Sequence, residues 1–268
     1  MSLTTLPAFL KTHPNAVLVE VAETRGSTPR EAGTLMLVSA EAIWGTVGGG
    51  HLEFMAIEHA RKQLAGEVVS ETLDVPLGPE IGQCCGGRTI LSFRVVDQTL
   101  VAELTQRLAS ERAAFPDVTV FGAGHVGLAL AQALAPLPLK VTLIDTRTEI
   151  DGDVPAGITF RRVAMPEAEV AKVRPGGAVV ILTHDHALDF LIGREALART
   201  DLVYVGMIGS KTKRATFASF LDREGAQRSA MERLTLPIGG NAVKDKRPAV
   251  IAAMVAAELL RVLLGSQS

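Results

Sequence analysis

The 268-residue chain has only two cysteines, and they are neighbours, Cys84 and Cys85. So few thiols cannot build a disulfide framework, and adjacent ligands do not easily converge on one zinc tetrahedron. Aromatic residues are scarce, with a single Trp and a single Tyr, which argues against a base-stacking surface. No dense Lys/Arg run occurs and the net charge is −2, so the footprint of a nucleic-acid binder is missing. Long apolar runs are missing too. Near the C-terminus the longest, Ala249 to Ala257, stops at Glu258, too short to span a bilayer. Met1 to Leu10 has neither a basic start nor a long apolar stretch. No signal peptide and no membrane segment are therefore expected, and a cytoplasmic location is, where both thiols stay reduced.

What is present suffices for a large core. Apolar residues make up 47% of the chain, and its length fits two ordinary domains or one large one. The first part reads as mixed α and β. Helices are expected at Leu6 to Lys11 and His51 to Leu64, and strands at Ala16 to Val21, Thr34 to Val38, Ala42 to Val47, Val68 to Leu73 and Ile90 to Val96. A helix from about Thr99 to Ala113 leads to a boundary near Pro116. Beyond it, short apolar strands at Val118 to Phe121, Lys140 to Ile144, Thr159 to Val163, Ala178 to Thr183 and Leu202 to Val205 alternate with helical stretches. That alternation implies a parallel sheet with crossover helices. The fold class is therefore α/β, with a mixed α+β domain over residues 1–115 and a parallel-sheet domain over residues 116–268.

The strand from Val118 runs into Gly122-Ala-Gly124-His125-Val-Gly127 and then a helix, a Gly-x-Gly-x-x-Gly fingerprint in its proper setting, which makes the second domain Rossmann-like. Gly122 permits the tight turn, Gly124 lets a phosphate approach the backbone, and Gly127 lets helix and strand pack closely. Free N–H groups and the dipole at the helix start attract an anion. Asp145 ends the next strand, 18 residues after Gly127, where it suits ribose hydroxyls. A purely structural turn is the alternative.

Thr183-His184-Asp185-His186 follows another apolar strand, with Asp189 three residues on. If the strand continues, His184 and His186 point the same way and form half a metal site. Phosphate contact, or helix capping by Asp185, is the competing reading. Lys211, Lys213 and Arg214 put positive charge at a helix start, behind Ser210 as N-cap. Either a bound phosphate or an exposed solubilising face accounts for them. Arg25-Gly-Ser-Thr-Pro-Arg30 and Gly48-Gly-Gly-His-x-Glu53 are turn chemistry or anion sites. The thiols sit in Gly82-Gln-Cys84-Cys85-Gly86-Gly87, a loop made pliable by glycine, and read either as packed side chains or as a working thiol.

Taken together, Gly26-Ser-Thr-Pro-Arg30, Gly48-Gly-Gly-His-x-Glu53, Cys85-Gly-Gly87, Phe121-Gly-Ala-Gly-His-Val-Gly127, Thr183-His-Asp-His186 with Asp189, and Tyr204-Val-Gly-Met-Ile-Gly-Ser-Lys211 with Lys213-Arg214 resemble the XdhC/CoxI family of maturation factors for molybdenum hydroxylases. The resemblance implies a chaperone, not an enzyme. It would hold the molybdenum cofactor (molybdopterin) while a cysteine desulfurase partner installs a sulfido ligand, then deliver it to apo-xanthine dehydrogenase. It places the functional thiol at Cys85, with Cys84 beside it, and the expected task of Cys85 is to contact or protect the molybdenum end. Many relatives carry Cys before a later Pro where this chain has Leu236, so Cys84 and Cys85 are the only thiols available. On this reading Gly122, Gly124 and Gly127 hold the phosphate, His125, Asp145, His184, Asp185 and Lys211 complete the binding residues, and the cofactor lies between the two domains, where ligand sites are favoured. A homo-oligomer is expected. The rival readings are an NAD(P)-dependent oxidoreductase with Asp145 on the ribose, and a non-catalytic binding module.

Overall fold

A computed structural model describes residues 6–78, 86–150, 152–225, 228–240 and 242–265. Cys84 and Cys85 lie outside the described residues. The chain divides into two compact units, Met1–Ser110 and Glu111–Ser268.

The first unit is built on a five-stranded antiparallel sheet of β1 (Ala16–Arg25), β2 (Leu35–Ser39), β3 (Ile43–Gly45), β4 (Thr72–Pro76) and β5 (Arg88–Val95), in the order β3-β2-β1-β5-β4. β1 reads as a continuous apolar run because both of its faces are covered. Val17, Val19 and Val21 pack under α2 (Gly50–Leu64) with its Leu52, Ala56 and Ala60. Leu18 faces the other way, onto α1 (Leu6–Thr12) and onto Leu100, Leu104 and Leu108 of α3 (Gln98–Ala114), whose spacing of four lines one helical face.

The sequence misplaces two strands here. The run expected from Ala42 to Val47 shortens to β3, because Gly45 turns at φ 83° and Val47 N–H is drawn to Glu53 instead of a ladder. The run expected at Val68 to Leu73 shifts to β4, since Val68 is fully exposed and the pairing with β5 runs from Thr72 to Pro76.

The second unit carries a six-stranded parallel sheet of β6 (Asp117–Phe121), β7 (Lys140–Asp145), β8 (Thr159–Arg162), β9 (Ala178–Ile181), β10 (Tyr204–Met207) and β11 (Leu234–Thr235). The spatial order β11-β10-β9-β6-β7-β8 is 3-2-1-4-5-6 counted within the unit from the β8 edge, the order of a Rossmann sheet. Alternate residues serve opposite faces. Val118, Val120, Val141 and Leu143 pack on α4 (His125–Leu134) and α7 (Pro248–Leu263). Phe121, Ile144, Val179, Ile181 and Met207 pack on α5 (His186–Ala198) and α6 (Lys211–Arg223). The two-residue β11 carries too little pattern to be read from sequence. Among the described residues no helix is long and apolar enough to cross a membrane.

Candidate functional site

In the second unit β7 leaves β6 on one side and β9 lies on the other, so the chain switches direction between β6 and β9. A crevice at such a switch point, beyond the carboxyl ends of the strands, is where doubly wound sheets take ligands. Here it is lined by Gly122, Asp145, Thr146, Thr183, His184 and Leu188, among others.

The three glycines of the fingerprint have different physical needs. Gly122 turns at φ 110°, and a Cβ there would lie 2.4 Å from Leu182 O. A Cβ on Gly127 would lie 1.9 Å from Gly122 O, so α4 is pressed directly onto the turn. Gly124 differs: a Cβ would meet nothing within 4 Å. The side of Gly124 is thus open at the α4 N-terminus, where this N-cap supplies no side-chain acceptor and the first turn holds no acid. The leading amides of a helix have no intrahelical partner, and an anion in that space would meet them and the dipole together.

Asp145 is 5% exposed and fastens this loop. Its Oδ2 accepts the Ala123 N–H at 2.6 Å and Arg147 Nη2 at 3.0 Å, while Oδ1 accepts Arg147 N at 2.8 Å and Nε at 3.1 Å. Burial pushes its carboxyl upward, but the Arg147 guanidinium and the two backbone N–H groups outweigh burial and hold it below its ordinary range.

His184 lines the crevice, whereas His125, Asp185 and Lys211 stand outside its lining, all three exposed. Asp185 is the N-cap of α5 and accepts from Ala187 N and Leu188 N, the capping role weighed for it. The half metal site does not form. β9 stops at Ile181 and His186 already opens α5, so the two-residue strand period that would align the two histidines is broken. Among the described residues no group of three His, Cys, Asp or Glu is placed to hold a metal ion.

Ser210 caps α6 as expected, but two of the three cations behind it are engaged by the protein itself. Lys213 turns inward to Asp189, and Arg214 donates to Met231 O at 2.9 Å and Leu234 O at 3.0 Å. Only Lys211 remains exposed.

In the first unit, motifs far apart in sequence meet at one end of the sheet. Arg25 at the end of β1 pairs with Arg88 at the start of β5. Gly87 lies against the following turn so closely that a Cβ would be 2.2 Å from Ser27 O, and a Cβ on Gly48 would be 2.7 Å from the Pro29 ring. Glu53 reaches back from α2 to accept from the Thr46 hydroxyl, Val47 N at 3.3 Å and Gly49 N at 3.2 Å, which gives it a structural role. Leu77 is tied to the Gly86-Gly87 backbone by two bonds, Leu77 N to Gly87 O at 2.8 Å and Gly86 N to Leu77 O at 2.9 Å. Gly87→Ala is therefore expected to cost about 3 kcal/mol, because the clash is with backbone that cannot give way. A urea titration of the variant checks this.

Residues 118–259 match the XdhC Rossmann domain, and residues 10–74 match the XdhC and CoxI family. The chain belongs to the XdhC family. The uncharacterized Escherichia coli K12 protein YqeB is 26% identical over 257 residues, covering 91% of this XdhC-family chain. The chain spans 43% of the length of YqeB. The crystal structure of a xanthine dehydrogenase from Bacillus halodurans superposes with a TM-score of 0.78 at 18% identity, over 100% of this chain and 97% of that one, a likeness of fold. The glycine loop, the Thr183 loop and the α6 start all fall inside the XdhC Rossmann match, and the Arg25 and Gly48 turns inside the other.

Proposed function

We propose that this XdhC-family chain is an accessory factor in the maturation of xanthine dehydrogenase, and that it binds the molybdenum cofactor as molybdopterin. The observation that carries the reading is the Gly124 cradle, a space left open before an uncapped helix start. Its donors suit a phosphate monoester, and molybdopterin ends in one. When bound, the cofactor supplies a molybdenum centre on a pterin dithiolene. The leading amides of α4 hold the phosphate, Asp145 keeps the loop in place, and His184 stands at the lip of the crevice as a donor. Cys85, joined to the anchored Gly86, is the thiol assigned to sulfur chemistry, with Cys84 beside it, because a thiolate is a soft donor. Apo-xanthine dehydrogenase, a cysteine desulfurase and a homo-oligomeric state belong to the same proposal.

Asp145 counts against an NAD(P)-dependent oxidoreductase. Four donors already occupy its carboxylate, so a ribose diol would have to displace Arg147 or Ala123. The test is expression beside the apoenzyme, followed by fluorescence assay of oxidised pterin in the purified chain and measurement of target activation. Wild type is expected to carry pterin and to activate the target. Cys85→Ala is expected to lose activation by about tenfold or more, with Cys84→Ala less affected. Unchanged retention and activation in both cysteine variants removes the thiol role, and absence of pterin from wild type removes the cofactor reading.

A further inference from the structure

Asp189 is the most deeply buried carboxylate among the described residues, at 1% exposure. One of its oxygens accepts both the N–H of Thr183 at 3.0 Å and its hydroxyl at 2.7 Å. The other accepts the ammonium of Lys213, whose side chain is 8% exposed and which also donates to Ile208 O at 2.9 Å. The Thr183 oxygen in turn receives the Asp185 N–H at 3.2 Å. One connected set of bonds thus ties the loop after β9, the loop after β10 and the first turns of α5 and α6. The loop after β9 is also the wall on which the glycine turn rests, since Leu182 N donates to Phe121 O at 2.9 Å and Leu182 O stands where a Cβ on Gly122 would be.

A buried ion pair is a poor way to add stability, because an apolar pair of the same volume often does as well or better. What this pair supplies is direction. It gives the backbone and hydroxyl of Thr183 one shared acceptor, and so sets where Thr183 and His184 meet the crevice. We propose that Asp189, itself held by Lys213, is the positioning residue of the crevice, fixing the Thr183–His184 wall against the glycine turn so that the phosphate cradle is formed before ligand arrives. The proposal rests on the crevice being the ligand site, as argued under the proposed function.

Two double variants separate positioning from bulk stability. D189N/K213M removes both charges and keeps an acceptor for Thr183, whereas D189L/K213M fills the same volume and removes the acceptor. Inorganic pyrophosphate serves as the anion probe, read by titration calorimetry. Exchange of the Thr183 amide is followed in the ligand-free protein, and pterin content in the purified one. D189N/K213M is expected to bind pyrophosphate within about threefold of wild type, and D189L/K213M to bind about tenfold more weakly with faster exchange at Thr183. Equal pyrophosphate affinity in the two doubles overturns the proposal, even if Thr183 exchange differs. Thr183→Val removes only the hydroxyl, is expected to weaken binding several-fold, and decides the question in the same sense if D189L/K213M does not fold. Wild type that binds no pyrophosphate overturns this proposal and the cradle together. Wild type that binds pyrophosphate but carries no pterin overturns the cofactor reading alone, and the affinities of the variants still decide the positioning role.

Discussion

Gly124→Ala is expected to fold like the parent chain and lose its phosphate ligand, while Gly127→Ala, three residues on, is expected to destabilise the second unit strongly. Both replace glycine by the smallest chiral residue, so the contrast isolates what surrounds each Cβ. At Gly124 the backbone is extended, φ −80° and ψ −171°, and a Cβ meets nothing within 4 Å. Reducing unfolded-chain freedom there adds about 0.4–1 kcal/mol of stability, and losing glycine at an N-cap takes back a comparable amount. The net change in stability is near zero. The added methyl, however, fills the space before the α4 amides, and a loss of about tenfold in retained molybdopterin, roughly 1.4 kcal/mol, is expected. At Gly127 the methyl would stand 1.9 Å from Gly122 O and 3.0 Å from Leu182 Cδ1. Neither a turn carbonyl nor a helix backbone can retreat that far, so the cost is about 3 kcal/mol or more, a large part of a typical domain's 5–15 kcal/mol. Urea midpoints and pterin content measured on both variants check the pair. A Gly124→Ala protein that retains pterin at the wild-type level places the phosphate elsewhere.

The glycine turn was legible in the sequence because each of its constraints is local: a strand, a turn that only glycine enters, and a helix start. The parallel sheet was legible for a similar reason, since strands covered on both faces read as short apolar runs. Long-range pairing was hidden. Lys213 and Arg214 broke the local rule against cations at a helix start, and the sequence offered a phosphate or a solvated face as the reason. Their partners are Asp189, 24 residues earlier, and carbonyls near β11, 17 and 20 residues later. One signal did exist: Asp189 sits beside the apolar run Phe190-Leu191-Ile192 in a helix that covers the sheet, and a buried acid needs a base. Of the two readings of the histidine stretch, capping by Asp185 holds, because β9 stops at Ile181 and never reaches the histidines. In the first unit, Gly26, Gly48 and Gly87 each announced a turn, but only the antiparallel register brings the three turns to one end of the sheet.

Asp145 is expected to give the other large effect, and its pH dependence has a definite sign. Asp145→Ala leaves the Ala123 N–H without its acceptor and strips the Arg147 guanidinium of its carboxylate, at a cost of about 2–4 kcal/mol. Asp145→Asn keeps the shape and one acceptor oxygen but removes the charge, so a smaller loss of about 1–3 kcal/mol follows at neutral pH. In the folded protein burial favours the neutral acid, yet the hydrogen bonds from Arg147 and Ala123 prevail and depress its pKa below the ordinary 3.8. A depressed folded value means that the unfolded chain takes up the proton first. The stabilisation is therefore complete above 3.8 and is lost as pH falls from there through the lower folded value. Other carboxylates with depressed values, such as Asp117 and Glu169, titrate in the same direction. They are common to wild type and variant, so the stability difference between wild type and Asp145→Asn isolates this one group. That difference should be flat across neutral pH and shrink as the pH is lowered below 3.8. A difference that stays constant there would mean that Asp145 holds the glycine turn by shape alone, and that the charge on Arg147 does not help fasten the loop on which the cradle stands.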